Sequence, residues 1–330
     1  MALNHAIAVR RAAVVPALVA LLATTAHAEP FLTRNQNPLL ALYGLPSPLP
    51  ARLPPAGGGR VAGVINWGNT ENEDVSANGN YTLDAETFEL RLHFDHALAE
   101  RFALHAELPW RKVSGGSLDG FIDDWHGIFG LPGGSRGRLP EDQLLIEFEQ
   151  GGATLLSIDE STSGIGDIPL ALGYQLYATD NSALSTWLTV KAPTGSADDL
   201  TGSGAVDVAA TLAGQSQLHE RWQLFGQASI AWLGEGDLLP ELQESFAWTL
   251  MAGLSWNAWR ALDLTAQVEA NSRLYDGLDS ELDGDAVVLT FGGTWRTEGG
   301  WRYDVGVSED LQAGASPDIV FIFAVARSYR

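Results

Sequence analysis

Cysteine is absent from the 330 residues, which removes disulfides, thiol chemistry and cysteine-ligated metals. Basic residues are scarce: 19 Lys and Arg stand against 41 Asp and Glu, for a net charge of -22. Such a chain is repelled by phosphate backbones, which argues against a nucleic-acid partner. Long uncharged apolar runs are missing as well. The one candidate, Ala12 to Ala23, is interrupted by Pro16 and is too short for a membrane-spanning helix. The body of the chain is therefore either soluble or a barrel that crosses a membrane with strands.

That short run has a different use. Arg10 and Arg11 precede it and Ala26-His27-Ala28 forms an A-x-A cleavage pattern before Glu29, so residues 1–28 read as a secretory signal. Residues 29–59 follow with seven prolines and Gly57-Gly58-Gly59, a composition unsuited to helix or ladder. They are expected to form a periplasmic arm. By composition it reads as a flexible leader, and by its apolar residues Phe31, Leu39, Leu42 and Tyr43 as a plug for a lumen.

From residue 60 to 330 the pattern is a rhythm of gaps. Tight gaps near 96–100, 179–182, 217–220, 258–260 and 297–299 alternate with long ones near 71–84, 113–164, 194–203, 234–244, 273–283 and 310–317. They separate about twelve short amphipathic segments. An even strand number with short turns on one side and long loops on the other predicts an all-β fold, an antiparallel up-and-down transmembrane barrel. Within the segments, residues alternate at period two. Phe88, Leu90, Leu92 and Phe94 oppose Glu89, Arg91, His93 and Asp95, and after the turn Phe102, Leu104, Leu108 and Trp110 oppose Arg101, His105, Glu107 and Arg111.

A soluble sandwich would alternate too, so the aromatic spacing matters. Trp222 and Trp232 lie on one side of a segment ten residues apart, and a strand rise of about 3.3 Å with a tilt of roughly 45° separates them by about 23 Å along a membrane normal. Trp248 with Trp256, and Phe102 with Trp110, repeat the arrangement over eight residues. These six are the expected interface girdle, where an indole keeps its ring in hydrocarbon and its N–H near water.

The gap at 113–164 is long enough to carry structure of its own. Leu118 to Leu131 shows helical spacing, with apolar Phe121, Ile122, Trp125 and Phe129 opposite Asp119, Asp123, Asp124 and His126. Such an amphipathic helix would lie on the outer interface or fold into the mouth, where those four polar residues would form a constriction. The second arrangement keeps aspartates away from anionic lipid. Residues 143–158 read as a hairpin, which would raise the wall to fourteen strands if it joined the sheet.

Charge follows the same polarity. The six long gaps hold 24 of the 41 acids, with Arg136, Arg138 and Arg273 as their bases, so the outer rim is anionic. This suits solubility, and it also suits sharing of divalent cations with lipopolysaccharide. Asp167 and Asp207, beside the glycine-rich Ser163-Gly-Ile-Gly and Thr201-Gly-Ser-Gly, are lesser candidates for holding a cation. Gly133-Gly-Ser135-Arg-Gly137 matches a nucleophile elbow without the strand and helix that motif needs. Gly57-Gly-Gly59 lacks the lysine of a phosphate loop, and no His-Glu-x-x-His occurs. No cofactor, resident metal or catalytic group is expected.

Three stretches resemble one family. Phe31-Leu-Thr-Arg-Asn-Gln-Asn-Pro38 with Tyr43-Gly-Leu-Pro46, the loop Leu118-Asp-Gly-Phe-Ile-Asp-Asp-Trp-His-Gly-Ile-Phe-Gly-Leu-Pro132, and Ser163-Gly-Ile-Gly-Asp167 are similar to proteobacterial proteins of the domain-of-unknown-function 3187 family. The resemblance spans nearly the whole chain past the signal. It implies an outer-membrane barrel and no particular mechanism.

The inward candidates Glu89, Arg91, His93, Asp95, Arg101, His105, Glu107 and Arg111 read either as a self-satisfied network filling a narrow lumen or as a selectivity wall. If Asp95 pairs with Arg101 across the turn, Arg91 falls opposite His105 and Glu89 opposite Glu107. The first functional expectation is a monomeric outer-membrane channel or transporter for small solutes, gated by the inserted 113–164 loop and by the arm. A sealed structural or envelope-interaction barrel is the alternative, and a lipid-modifying enzyme ranks below both. Expected partners are outer-membrane lipid, lipopolysaccharide, the barrel-assembly machinery and a small solute.

Overall fold

A computed structural model describes residues 29–76, 79–122, 140–278, 280–312 and 315–330. Twelve strands close an antiparallel ring: β1 (Gly59–Val75), β2 (Gly79–Ala99), β3 (Phe102–Ser114), β7 (Ile168–Ala178), β8 (Ser182–Ala192), β9 (Asp207–His219), β10 (Trp222–Trp232), β11 (Phe246–Trp259), β12 (Leu262–Asn271), β13 (Ala286–Arg296), β14 (Trp301–Gln312) and β15 (Ile319–Tyr329). Each pairs with its sequence neighbour in the ring, and β15 returns to β1 from Gly59↔Tyr329 to Asn69↔Ile319. Closure gives each of the twelve ring strands a neighbour on both sides. Among the described residues no helix is long and apolar enough to cross a membrane.

The period-two pattern becomes two surfaces. In β10 the side chains of Trp222, Leu224, Ile230 and Trp232 are exposed while Gln223, Phe225, Gln227 and Ser229 are buried. Large apolar residues thus cover the outside and polar ones fill the inside, the inverse of a soluble globule. The expected girdle residues Phe102, Trp110, Trp222, Trp232, Trp248 and Trp256 all lie on this outer face. Trp222 and Trp256 are cross-strand partners and stack with centroids 6.0 Å apart.

Five tight turns connect the strands near the expected places, the first at Glu100 and Arg101 because 96–99 stay in β2, but the first long gap is absent. Residues 71–84 continue as ladder, Glu71↔Asp84 to Val75↔Asn80, so β1 and β2 rise past the last partner on β15. At 17 and 21 residues they exceed the roughly 9–11 that a tilted strand needs to span hydrocarbon. The acids Glu71, Glu73 and Asp74 hid the ladder, because acids are rare in ordinary strands.

The expected hairpin forms as β4 (Leu145–Gln150) and β5 (Ala153–Ile158) without joining the ring. β4 pairs with the raised end of β2, Gly79↔Gln150 to Asp84↔Leu145, while β6 (Thr162–Ile165) caps the outer half of β3. The wall stays at twelve strands. Fourteen would have required β4 and β5 to separate β2 from β3, which pair directly from Glu86↔Ser114 to Ala99↔Phe102.

Candidate functional site: the lumen and its occupant

Residues 29–58 run inside the ring. The segment rises along β12–β14, turns through a 3-10 turn at Leu40–Leu42, and descends along β10, β8 and β7 to the start of β1. Prolines prevent it from pairing as a strand, and wall side chains substitute for the missing ladder. Gln267 accepts from the Phe31 N–H (3.1 Å), Gln227 accepts from the Leu49 N–H (2.8 Å) and donates to the Ser47 carbonyl (3.2 Å), and Gln175 accepts from the Leu53 N–H (2.7 Å) and donates to the Ala51 carbonyl (2.9 Å). A primary amide presents one acceptor and two donors, so a glutamine can satisfy backbone N–H and C=O together. The indole of Trp187 donates to the Pro50 carbonyl (3.1 Å). Its ring is buried, because Gly173 opposite has no Cβ; one there would lie 2.6 Å from the indole.

At the long-loop end the turn is wrapped by apolar groups. Leu39, Leu40, Leu42, Tyr43 and Leu45 join Tyr81, Leu83 and Ala85 of the raised β2, Ile146 and Phe148 of β4, and loop residues Leu200, Leu238, Leu274 and Leu282 in one buried cluster. Full burial of one such leucine contributes about 1.5–3 kcal/mol. The Tyr43 and Tyr275 hydroxyls meet at 2.8 Å.

The carbonyls of this turn face cations. Arg111 donates to the Ala41 carbonyl (2.9 Å), Lys191 to the Leu42 carbonyl (3.2 Å), and Arg34 of the arm to the Ala41, Tyr43 and Leu45 carbonyls (2.8, 3.0 and 2.8 Å). Burial, followed by the neighbouring Arg91 guanidinium, pushes Arg34 down to about 9, which leaves it cationic at neutral pH. Asp207 accepts from the Gly44 N–H (2.7 Å). Asp167 and Asp207, read as candidates for an added cation, enclose Lys191 at 2.5 and 3.0 Å, so a side chain of the protein fills that place.

The charged residues of β2 and β3 line one wall. Their order runs Arg60–Asp95 (2.9 Å), Asp95–His105 Nδ1 (2.7 Å), His105 Nε2–Glu107 Oε1 (3.0 Å), Glu107–Arg91, Arg91–Glu89 (2.7 Å) and Glu89–Arg111 (2.8 Å). Seven of the eight inward candidates are buried here. The partners differ from the sequence register: Asp95 opposes His105, His93 opposes Glu107 and Glu89 opposes Arg111. Glu100 and Arg101 form the turn itself, which shifts the pairing by four residues and preserves every side chain's face. Arg101 consequently leaves the lumen, is exposed, and bonds the Tyr174 hydroxyl (3.3 Å).

The constriction expected of the 113–164 segment is corrected for Asp119. Residues 119–122 form a helical turn, with Ile122 N–H bonded to the Leu118 carbonyl (2.9 Å). Leu118 and Ile122 pack on Val307, Ile319, Trp67 and Phe321, all on the outward-facing register of their strands. Asp119 accepts from Asn69 Nδ2 (2.8 Å) and the Asp142 N–H (2.7 Å), and Glu86 receives the Ser117 and Leu118 N–H groups. This part of the segment therefore wraps the outside of the rim. Leu118 and Ile122 find apolar strand residues there, whereas the arm already fills the mouth. Asp123, Asp124 and His126, the rest of the helix expected over 118–131, and Gly133–Gly137 lie outside the described residues.

The sequence reading missed Gln175, Gln227, Gln267, Lys191 and Trp187. Their signal was parity: each sits at an inward position of its strand, and Trp187, unlike the girdle tryptophans, falls on the polar face. Between the two limbs of the arm and β9–β11 remains a cavity of about 390 Å³, lined by Leu32, Leu49, Leu53, Phe225 and Met251 with Arg60 and Arg296 at the short-turn end.

Among solved structures the chain is similar to an outer-membrane channel from Pseudomonas putida F1, at 16% identity over 86% of this chain and 100% of that one, with a TM-score of 0.58. It also aligns with the Pseudomonas putida toluene transporter TodX (11% identity, 92% and 94% coverage, TM-score 0.40) and with the NanC porin (8%, 82% and 99%, 0.45). At 16% identity the first of these shows a shared fold alone. No curated protein sequence matches. The profile of a family described as protein of unknown function, DUF3187, matches residues 6–329, essentially the whole chain, and the chain belongs to that family.

Proposed function

We propose that this protein is an outer-membrane channel for small solutes, carried to the envelope by residues 1–28 as a signal, whose water path is closed by the arm of residues 29–58. The observation that supports it is the manner in which the arm is held. From Phe31 to Leu53 its backbone bonds side chains of the wall through separate hydrogen bonds, each worth about 0.5–1.5 kcal/mol net, so that stretch can detach without breaking any wall ladder. Twelve strands enclose a lumen between the filled eight-stranded and the open sixteen-stranded cases, wide enough to conduct once emptied. Residues 115–122 then act at the rim. No chemistry is required of the charged wall, which serves as seat for the arm and as lining for the path.

A sealed envelope barrel is the competing reading, favoured by the apolar cluster that closes the long-loop mouth around Leu39–Leu45. Conductance in planar bilayers separates the two. Deleting residues 30–54 is expected to turn a mostly silent protein into one with steady ohmic steps, and the intact chain is expected to show rare brief openings. If the deleted protein folds as a barrel and stays silent, the channel reading fails.

A further inference from the structure

The ion-pair network leaves one member unused. His93, on β2, is 1% exposed, and neither ring nitrogen has a hydrogen-bond partner among the described residues. Its Nδ1 points at Glu107 Oε1 from 3.7 Å, beyond hydrogen-bond range. An imidazole buried without a partner costs about 1–3 kcal/mol, and the surrounding groups show what would satisfy it. His105 Nε2 lies 3.0 Å from the same Glu107 oxygen, and the ligand atoms of His93, His105 and Glu107 all fall within 4.8 Å of one another.

We propose that His93, His105 and Glu107 bind a divalent transition-metal ion inside the lumen, with zinc the best match. Two imidazoles and one carboxylate are a common three-ligand set for zinc and leave a fourth position open. Tetrahedral bonds of about 2.0–2.1 Å place ligand atoms roughly 3.4 Å apart, and rotating the unbonded His93 ring toward Glu107 breaks no hydrogen bond. The next layer out is also in place. His105 Nδ1 is bonded to Asp95 (2.7 Å), which orients Nε2 inward, and Asp95 is anchored by Arg60 (2.9 Å). A carboxylate behind a ligating imidazole fixes its orientation and raises its basicity. Glu107 Oε2 is held by Arg91 and by the Ser47 hydroxyl of the arm (3.3 Å), leaving Oε1 as the metal-facing atom. Coordination exchanges the His105–Glu107 hydrogen bond for two metal bonds and releases its proton to solvent.

The site is tested on untagged, detergent-solubilised full-length protein, equilibrated with Zn2+ and dialysed before metal analysis. One equivalent of zinc per chain is expected. His93→Ala, which removes no hydrogen bond, is expected to fall to background, and Asp95→Asn to weaken binding about 10–100-fold. His219→Ala, at an exposed position near a short turn, keeps the full equivalent. The wild type loaded with Co2+ gives a readout independent of any variant's folding: intense visible d–d absorption of a four-coordinate ion supports the site. Its absence, or equal zinc in wild type and His93→Ala, overturns the proposal. Neither readout depends on conductance.

Discussion

The two halves of the lumen wall hold the same arm by different physics. Along β1–β3 the inward residues are charged and joined in a chain from Arg60 to Arg111. Along β9–β12 hydroxyls and amides predominate: Thr211 with Ser229 (2.9 Å), Ser255 with Thr265 (2.6 Å), and Gln227 and Gln267, which bond the arm. In the charged half each group is shared by two neighbours, so one loss propagates. In the amide half each contact is nearly independent, so losses add. On the proposed channel reading the first half would serve as a fixed seat and the second as a series of latches.

The sharpest break in that contrast comes from Glu89, whose carboxylate takes both Arg91 and Arg111 in full burial. Glu89→Gln leaves two buried cations short of charge, and removing one partner of such a pair typically costs about 3–5 kcal/mol. A large drop in the urea midpoint of folded barrel in vesicles is expected. A drop as small as that of a glutamine variant would dissolve the distinction between the halves.

Gln227→Leu acts on the other half. It orphans the Leu49 N–H and the Ser47 carbonyl, each costing about 1–3 kcal/mol if the arm stays in place; the arm is instead expected to lift locally. Hydrogen exchange should then quicken by 10-fold or more at residues 47–50 while protection of β10 is unchanged. Faster exchange spreading into β10 would show that the latch is part of the wall after all.

What the sequence could reveal follows from the same contrast. Alternation at period two gives a side chain's face, and Glu89, Arg91, His93, Asp95, His105, Glu107 and Arg111 were all found on the correct one. It does not give register: sliding a strand by an even number keeps every face and changes every partner, which is how Arg101 came to be placed in the lumen although it belongs to the turn. The seat was thus legible as a set and illegible as a network. The latches were hidden more deeply. A proline-rich arm has no periodicity to read, and a single inward glutamine looks like any lumenal polar residue until the backbone that it bonds is beside it. Loop 115–122 misled for a third reason, because its apolar face fits the outside of a rim as well as the inside of a mouth.

The smallest expected effect lies where the arm begins. Glu29 accepts from Arg302 (2.5 Å) and Arg60, and it remains partly open to solvent at the short-turn end. Burial alone would raise its carboxyl; the Arg60 and Arg302 guanidiniums outweigh that and hold it below the ordinary carboxylate value. A group depressed in the folded state stabilises that state fully above its unfolded pKa of about 4.5 and loses the contribution as pH falls through the folded value. Acidification below about pH 4.5 should therefore loosen residues 30–32, read as faster exchange at Phe31 once the intrinsic pH dependence is removed. In Glu29→Gln this acid-dependent component is expected to vanish, with exchange already fast at neutral pH. An identical acid response in both proteins would assign the loosening to Asp95 and the seat behind it, and the arm's entry would then count with the charged half.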